Sequence, residues 1–484
     1  MKLKNLLGLS SALCLSATVL QAQEASETEK LSKQLKQLQE SFEKQQSEMK
    51  ANFERLMREQ QAQIEALKKQ IANATNAPAG AAQTNQAAAE QQLKELSEKL
   101  EEVVKAQTKV RPSEFNPSIG LVGETVFSYR TKGSDQTGSG RPGGFDVNQR
   151  SIELNIAAAV DPFAKGYAVV NASADSATGE ATMSVEEAAL QTTALPWNLE
   201  LKAGRFFGEF GRLGYIHDHE LPFVNRPLAL DQYIGGESKT DGLQLNWLLP
   251  TPHYVSLTLG LGDQFGGDPN NPGKFRHFRE VNYFGRLSTY FDLTPDWQFE
   301  TGMSGLINPK TEDRAGVLVQ PNGSTLTERE RRLAGLDVKL SYIPLRNNQF
   351  QSFVWGTEVL YSDNRYLFDP DGSLNPNLPA PGLSGDEFNG HVGSLGLYSY
   401  ATYKWHRQWS AGFLFDWLQN AQNHRDETFA YSPYITWALS HWNQLRLQYT
   451  HTDHNAVSGL RSDDAIYLQW AWIIGSHAHG WQQR

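Results

Sequence analysis

From residue 119 onward apolar and polar positions alternate with a period of two, the spacing of a strand with one greasy face. In 242–249, Leu243, Leu245, Trp247 and Leu249 share one side, with Gln244 and Asn246 opposite. Ile152, Leu154 and Ile156 alternate with Ser151, Glu153 and Asn155; Leu336, Val338 and Leu340 alternate with Asp337 and Lys339. Near the end, Leu445, Leu447 and Tyr449 alternate with Arg446 and Gln448, and Ile466, Leu468, Trp470, Trp472 and Ile474 form one face. About sixteen such runs predict an all-β barrel of antiparallel strands over 119–484. Pro- and Asp-bearing breaks at Asp161-Pro162, Pro250-Thr251-Pro252 and Pro295-Asp296 predict short turns at one end. The Gly-, Asn- and Pro-rich stretches 133–144, 262–274, 308–327 and 369–390 predict longer loops at the other.

Ahead of the barrel the period is helical. Leu31, Leu35, Leu38 and Phe42 follow the seam of a coiled coil within 27–72, among Gln, Glu and Lys. A helix this polar needs partners for its stripe, which points to a homo-oligomer; a trimer is the expectation by analogy with trimeric porins, and a helical hairpin is the alternative. A linker rich in Ala, Asn and Gln occupies 73–90, and Leu93, Leu96, Leu100 and Val103 mark a second short coiled-coil helix over 91–110. At the start, Lys2 and Lys4 precede an apolar run over 6–20, with Ala22 before a cleavage point, so 1–22 reads as a secretory signal peptide. It takes Cys14, the chain's single cysteine, with it, so neither disulfides nor thiolate metal sites contribute.

Composition sharpens the choice between a soluble sandwich and a membrane barrel. The chain has 484 residues, 39% apolar and 20% charged, with 40 Gly, 12 Trp, 17 Tyr and 23 Phe. Many glycines and aromatics suit strands bounded by aromatic girdles. No run of 18 apolar residues follows the signal, which leaves barrels untouched because their strands are apolar only at alternate positions. The polar faces carry Glu153, Glu200, Lys202, Arg286, Glu300, Asp337, Lys339 and Arg446, a mixed set suited to a wet lumen. The net charge of −10 argues against nucleic acid as a partner. No G-x-S-x-G elbow, H-E-x-x-H helix or phosphate loop is present, so no enzyme is expected.

One stretch breaks the strand-and-turn rhythm. It runs from Gly204-Arg205-Phe206 through Phe210-Gly211-Arg212-Leu213 and His217-Asp218-His219-Glu220 to Leu221-Pro222-Phe223, Arg226-Pro227, Gly236-Glu237 and Asp241-Gly242. Too long for a hairpin and dense in charge, it predicts a loop folded into the lumen. There Arg205, Arg212 and Arg226 would face permeating anions, balanced by Glu209, Asp218, Glu220 and Glu237. His217 and His219 sit two apart, a spacing that lets both reach one zinc ion. The alternative is that they are ordinary loop histidines.

This pattern resembles bacterial outer-membrane barrels often labelled zinc-regulated TonB-dependent outer membrane receptors. The resemblance covers the whole barrel, is most specific over 204–249, and includes Val160-Asp161-Pro162-Phe163-Ala164 and Tyr467-Leu468-Gln469. More loosely, a coiled coil followed by a barrel is similar to stalked trimeric porins and phosphate-selective-type porins. A TonB-dependent receptor implies a plug of over a hundred residues; here coiled coil and linker stand in its place, with no energy-coupling box. The expectation is therefore an outer-membrane porin for passive diffusion, with a periplasmic stalk and no cofactor. The alternatives are a zinc-linked uptake receptor, and a barrel in outer-membrane lipid that tethers the membrane to the cell wall through its coiled coil.

Overall fold

The computed structural model describes residues 117–475 apart from 134–142, 175–178, 268–276, 312–316, 321, 349, 441 and 456–459. The expected signal peptide, coiled-coil helices and linker within 1–110 lie outside the described residues, as does the tail beyond 475. The first half comprises β1 (Ser118–Arg130), β2 (Gly144–Asp161), β3 (Ala164–Ala174), β4 (Ala181–Thr192), β5 (Leu199–Phe207), β6 (Lys239–Leu248), β7 (Tyr254–Gly262), β8 (Asn282–Thr294) and β9 (Trp297–Asn308). The second comprises β10 (Val317–Val319), β11 (Thr325–Tyr342), β12 (Ser352–Asp369), β13 (Phe388–Lys404), β14 (Trp409–Asn420), β15 (Asn423–Ser440), β16 (Asn443–Asn455) and β17 (Asp463–Gly475).

Each strand pairs antiparallel with its neighbour, and β1 pairs with β17, closing the sheet. The three-residue β10 pairs with β11 alone, while β9 pairs directly with β11, so sixteen strands form a closed antiparallel barrel. Closure gives each of the sixteen barrel strands a partner on both sides, the short β10 lying outside the ring. At the seam Gly123 lies opposite Trp472, and a Cβ on Gly123 would run into the indole. The ring covers the glycine on the outer face.

The barrel is inside-out relative to a water-soluble protein. On β17, Ala465, Tyr467, Gln469 and Ala471 are buried while Ile466, Leu468, Trp470 and Ile474 are exposed. On β9, Met303 is 60% exposed and its neighbour Ser304 only 4%. A soluble sheet would turn its Leu and Met inward and its Ser out. Short turns connect the strands at the end that carries the start of β1 and the finish of β17. The opposite end carries the longest connections, although a short turn joins β14 to β15 there and the link between β11 and β12 at the first end is of intermediate length.

Beyond irregularities beside the turns, three bulges interrupt the alternation inside the described strands. Opposite β3 the register passes from Glu187 to Val185, leaving Glu186 as the extra residue. Arg150 is extra on β2 opposite β1, and Arg329 on β11 opposite β12. An extra residue lets two consecutive side chains take the same face. So Glu186 and Glu187 are both buried within the barrel, and Arg150 reaches inward beside Ser151.

Candidate functional site

Between β5 and β6 the chain enters the barrel. Residues 208–238 hold a turn of 3-10 helix (Asp218–Glu220), then α1 (Leu228–Tyr233), before the backbone returns to β6. The segment carries its own apolar side chains, Phe210, Leu213, Leu221, Phe223, Leu230 and Ile234, all buried. They pack against inward residues of the wall that include Leu360, Tyr398, Tyr400 and Tyr434. Phe223 meets Tyr400 edge-on with ring centroids 5.5 Å apart. At Gly211 φ is +64°, and a Cβ there would meet the Glu358 carboxylate, so the backbone conformation and the close approach both require glycine.

Polar contacts tie this one segment to strands on opposite sides of the ring. On one side Arg150 of β2 donates to the Val224 carbonyl at 2.6 Å. Gln448 of β16 accepts from the Val224 amide at 2.7 Å. Across the barrel the Gly211 amide donates to Ser304 of β9, and the Arg212 amide to Glu358 of β12. Asp416 of β14 accepts from the Leu228 amide, Tyr233 donates to the Gln419 carbonyl, and Arg331 of β11 donates to the Tyr233 carbonyl.

The residues singled out from the sequence divide into three groups. Glu209 accepts from its neighbours Gln244, Asn246 and Thr258, while Arg212 pairs with Glu300 at 2.9 Å and reaches the Tyr400 hydroxyl. Asp218, Glu220, Arg226 and Glu237 gather with the histidines near β2 and β4. Arg226 does not face permeating anions: it is buried and turned back on its own segment. It donates to the Leu213 and Ile216 carbonyls and pairs with Asp218 at 2.8 Å and Glu237 at 3.6 Å. Arg205 does not point inward either. It lies on the face shared with Leu201, forked onto Asp241 directly opposite on β6. Strand parity explains this, since Lys202 and Phe206 take the inward positions.

Among the inward wall residues, Glu153, Lys202, Arg286, Asp337 and Arg446 are buried, and Glu200, Glu300 and Lys339 are half-buried. Arg286 pairs with Asp337 at 2.6 Å, Lys339 shares Glu300 with Arg212, and Arg446 donates to the Phe223 carbonyl.

His217 and His219 are both buried against β2 and β4. His217 Nδ1 lies 3.5 Å from Glu153 Oε2 and 3.8 Å from Glu186 Oε2, and its Nε2 faces Glu187 Oε1 at 3.1 Å. His219 Nδ1 lies 3.2 Å from Glu153 Oε1. Burial alone would lower the pKa of His217, but Glu153, Glu187 and Glu186 outweigh it and raise it well above the ordinary value. The same contest, won chiefly by Glu153, raises His219. Burial, reinforced by Glu186 and Asp218, pushes the Glu237 carboxyl well above its ordinary range. Raised histidine pKa values mean a proton is held more tightly in the docked segment than in an unfolded one. Their contribution is complete below the ordinary histidine pKa and fades as pH rises through the raised values. Sequence reasoning placed Glu153 inward but missed Glu186 and Glu187, because a strict period of two cannot turn both of two adjacent residues the same way.

No protein-family model matches the chain. An uncharacterized protein of Aquifex aeolicus (strain VF5) is 24% identical over 353 residues, 69% of each chain. Among solved structures, the outer membrane channel DcaP of Acinetobacter baumannii is similar over 74% of this chain and 97% of its own, at 10% identity and TM-score 0.48. In-vitro folded OmpT of Vibrio cholerae covers 75% and 99% at 8% identity and TM-score 0.47. An anion-selective porin from Comamonas acidovorans covers 74% and 99% at 8% identity and TM-score 0.46.

Proposed function

We propose that the chain is an outer-membrane porin through which small hydrophilic solutes or ions diffuse passively, with the segment 208–238 narrowing its lumen. The observation that carries this reading is the inside-out barrel: mostly apolar side chains outward, ionised and amide side chains inward, and all sixteen barrel strands paired on both sides. Hydrocarbon satisfies such an exterior and offers no partner to an open backbone edge. Exposed aromatics at both ends agree, with Phe163, Trp197, Trp405 and Trp442 at the terminus-bearing end and Tyr129, Phe145 and Phe388 at the other. Short turns then face the periplasm and the longer connections the exterior. Trimeric assembly through the coiled coil belongs to the same reading, supported by the heptad spacing within 27–72. Passive diffusion, not catalysis or energy-coupled uptake, is the activity proposed.

The test is single-channel conductance of the purified, refolded protein in planar bilayers, with the reversal potential read under a salt gradient. Stepwise openings support the porin. A folded barrel that carries no current sinks it.

A further inference from the structure

We propose that His217 and His219 of the inserted segment, with Glu153 of β2, form a buried binding site for a divalent transition-metal ion. The inference goes beyond the channel reading and holds whether or not the barrel conducts. Ligand-capable atoms of these three residues all lie within 4.8 Å of one another, and a second grouping, Glu186, His217 and Glu237, shares His217.

The spacing fits a small cation. Around a tetrahedral ion with ligand distances of about 2.0–2.1 Å, neighbouring ligand atoms stand roughly 3.3 Å apart. The distances around His217 Nδ1 and His219 Nδ1 are 3.2, 3.5 and 3.8 Å. Both oxygens of Glu153 address the rings, one each, and a water can complete a four-coordinate shell. Two imidazoles and a carboxylate suit zinc, cobalt or nickel better than calcium or magnesium, which prefer oxygen alone.

The surroundings resemble the outer shell of a metal centre. Glu187 Oε1 sits 3.1 Å from His217 Nε2, the remote nitrogen, leaving Nδ1 directed at Glu153. The other oxygen of Glu187 accepts from the Tyr167 hydroxyl at 3.1 Å and the Phe207 amide at 3.4 Å. A carboxylate holding the far nitrogen of a ligand histidine fixes its tautomer and ring direction. Phe207 packs on the His217 ring at 4.5 Å, limiting its rotation. A third grouping among the described residues, Asp369, Asp371 and Asp386, is all carboxylate, and Asp369 is already engaged by Thr325 and the Leu374 amide.

The experiment is titration of the refolded full chain, with no added histidine tag, using zinc chloride by calorimetry and cobalt chloride by visible absorption. The expected result is one equivalent bound, with the intense visible bands of a four-coordinate cobalt ion. The pair His217→Ala/His219→Ala abolishes both signals, and Glu153→Gln weakens binding by at least about tenfold. Glu187→Gln, which leaves all three ligands in place, lowers affinity by about tenfold or more. Heat-modifiable gel mobility and circular dichroism certify that each variant has folded. If a variant does not fold, metal content of the folded wild-type chain after dialysis against zinc, with and without chelator, decides alone. No binding by the folded wild type, or unchanged binding in the double variant, overturns the proposal. Conductance recorded on the same preparations separates failure of the site from failure of the channel.

Discussion

Arg226 is the hinge pin of the inserted segment, because its guanidinium gathers two carbonyls and two carboxylates from both arms of that segment, Leu213, Ile216 and Asp218 before it and Glu237 after it. Arg226→Met should leave the barrel intact but loosen 208–238, making that stretch the first site of limited proteolysis in folded protein. Arg226→Lys should rescue little, since one ammonium cannot reproduce a planar fork. Gly211→Ala tests the same docking from the backbone. The left-handed φ and the Glu358 carboxylate together should cost about 1–3 kcal/mol, read as a lower urea midpoint of the refolded protein. Some of this chemistry was legible in the sequence. The H-x-H pair and the density of charge flagged the segment. The role of Arg226 was not, because a side chain that folds back on its own loop has the same sequence signature as one that faces a solute.

At the level of strands, alternation located the barrel staves close to where they lie, since the outward face is apolar over most of their length. Leu336 is exposed on the outer face and its neighbour Asp337 is buried on the inner. Leu336→Arg should therefore destabilise the folded protein by up to about 2–4 kcal/mol if it lies near the midplane, measured by urea unfolding in lipid vesicles. What alternation could not reveal is the irregular residue. The bulge at Glu186 turns two adjacent carboxylates onto His217, and the bulge at Arg150 sends a guanidinium to the inserted segment. Arg205 failed for the converse reason: its motif suggested the lumen, whereas strict parity with Leu201 puts it outside. The inserted segment itself also has a measurable consequence. Replacing 209–237 with a short Gly-Ser turn should raise single-channel conductance severalfold, and unchanged conductance would mean that the segment does not limit flow.

For the whole molecule, the proposed trimer predicts that removing residues 27–110 abolishes the grouping of openings in threes while preserving the unit step. Cross-linking before and after the deletion checks it, and a trimer that survives would move the assembly contact to the barrel. The ring must also be completed by joining its first strand to its last, and the chain marks that junction. Trp472 overlies Gly123, and one position further along, Glu124 is held by Arg150 from β2 and Gln469 from β17. A slip of one residue would turn the indole inward and strand the glutamate among apolar neighbours. The notch at Gly123 thus acts as a key, admitting a single alignment when the cylinder zips shut. Filling it with Gly123→Leu should leave the individual hairpins unharmed yet trap the protein as an unsealed ribbon, scored by electrophoresis of unheated samples.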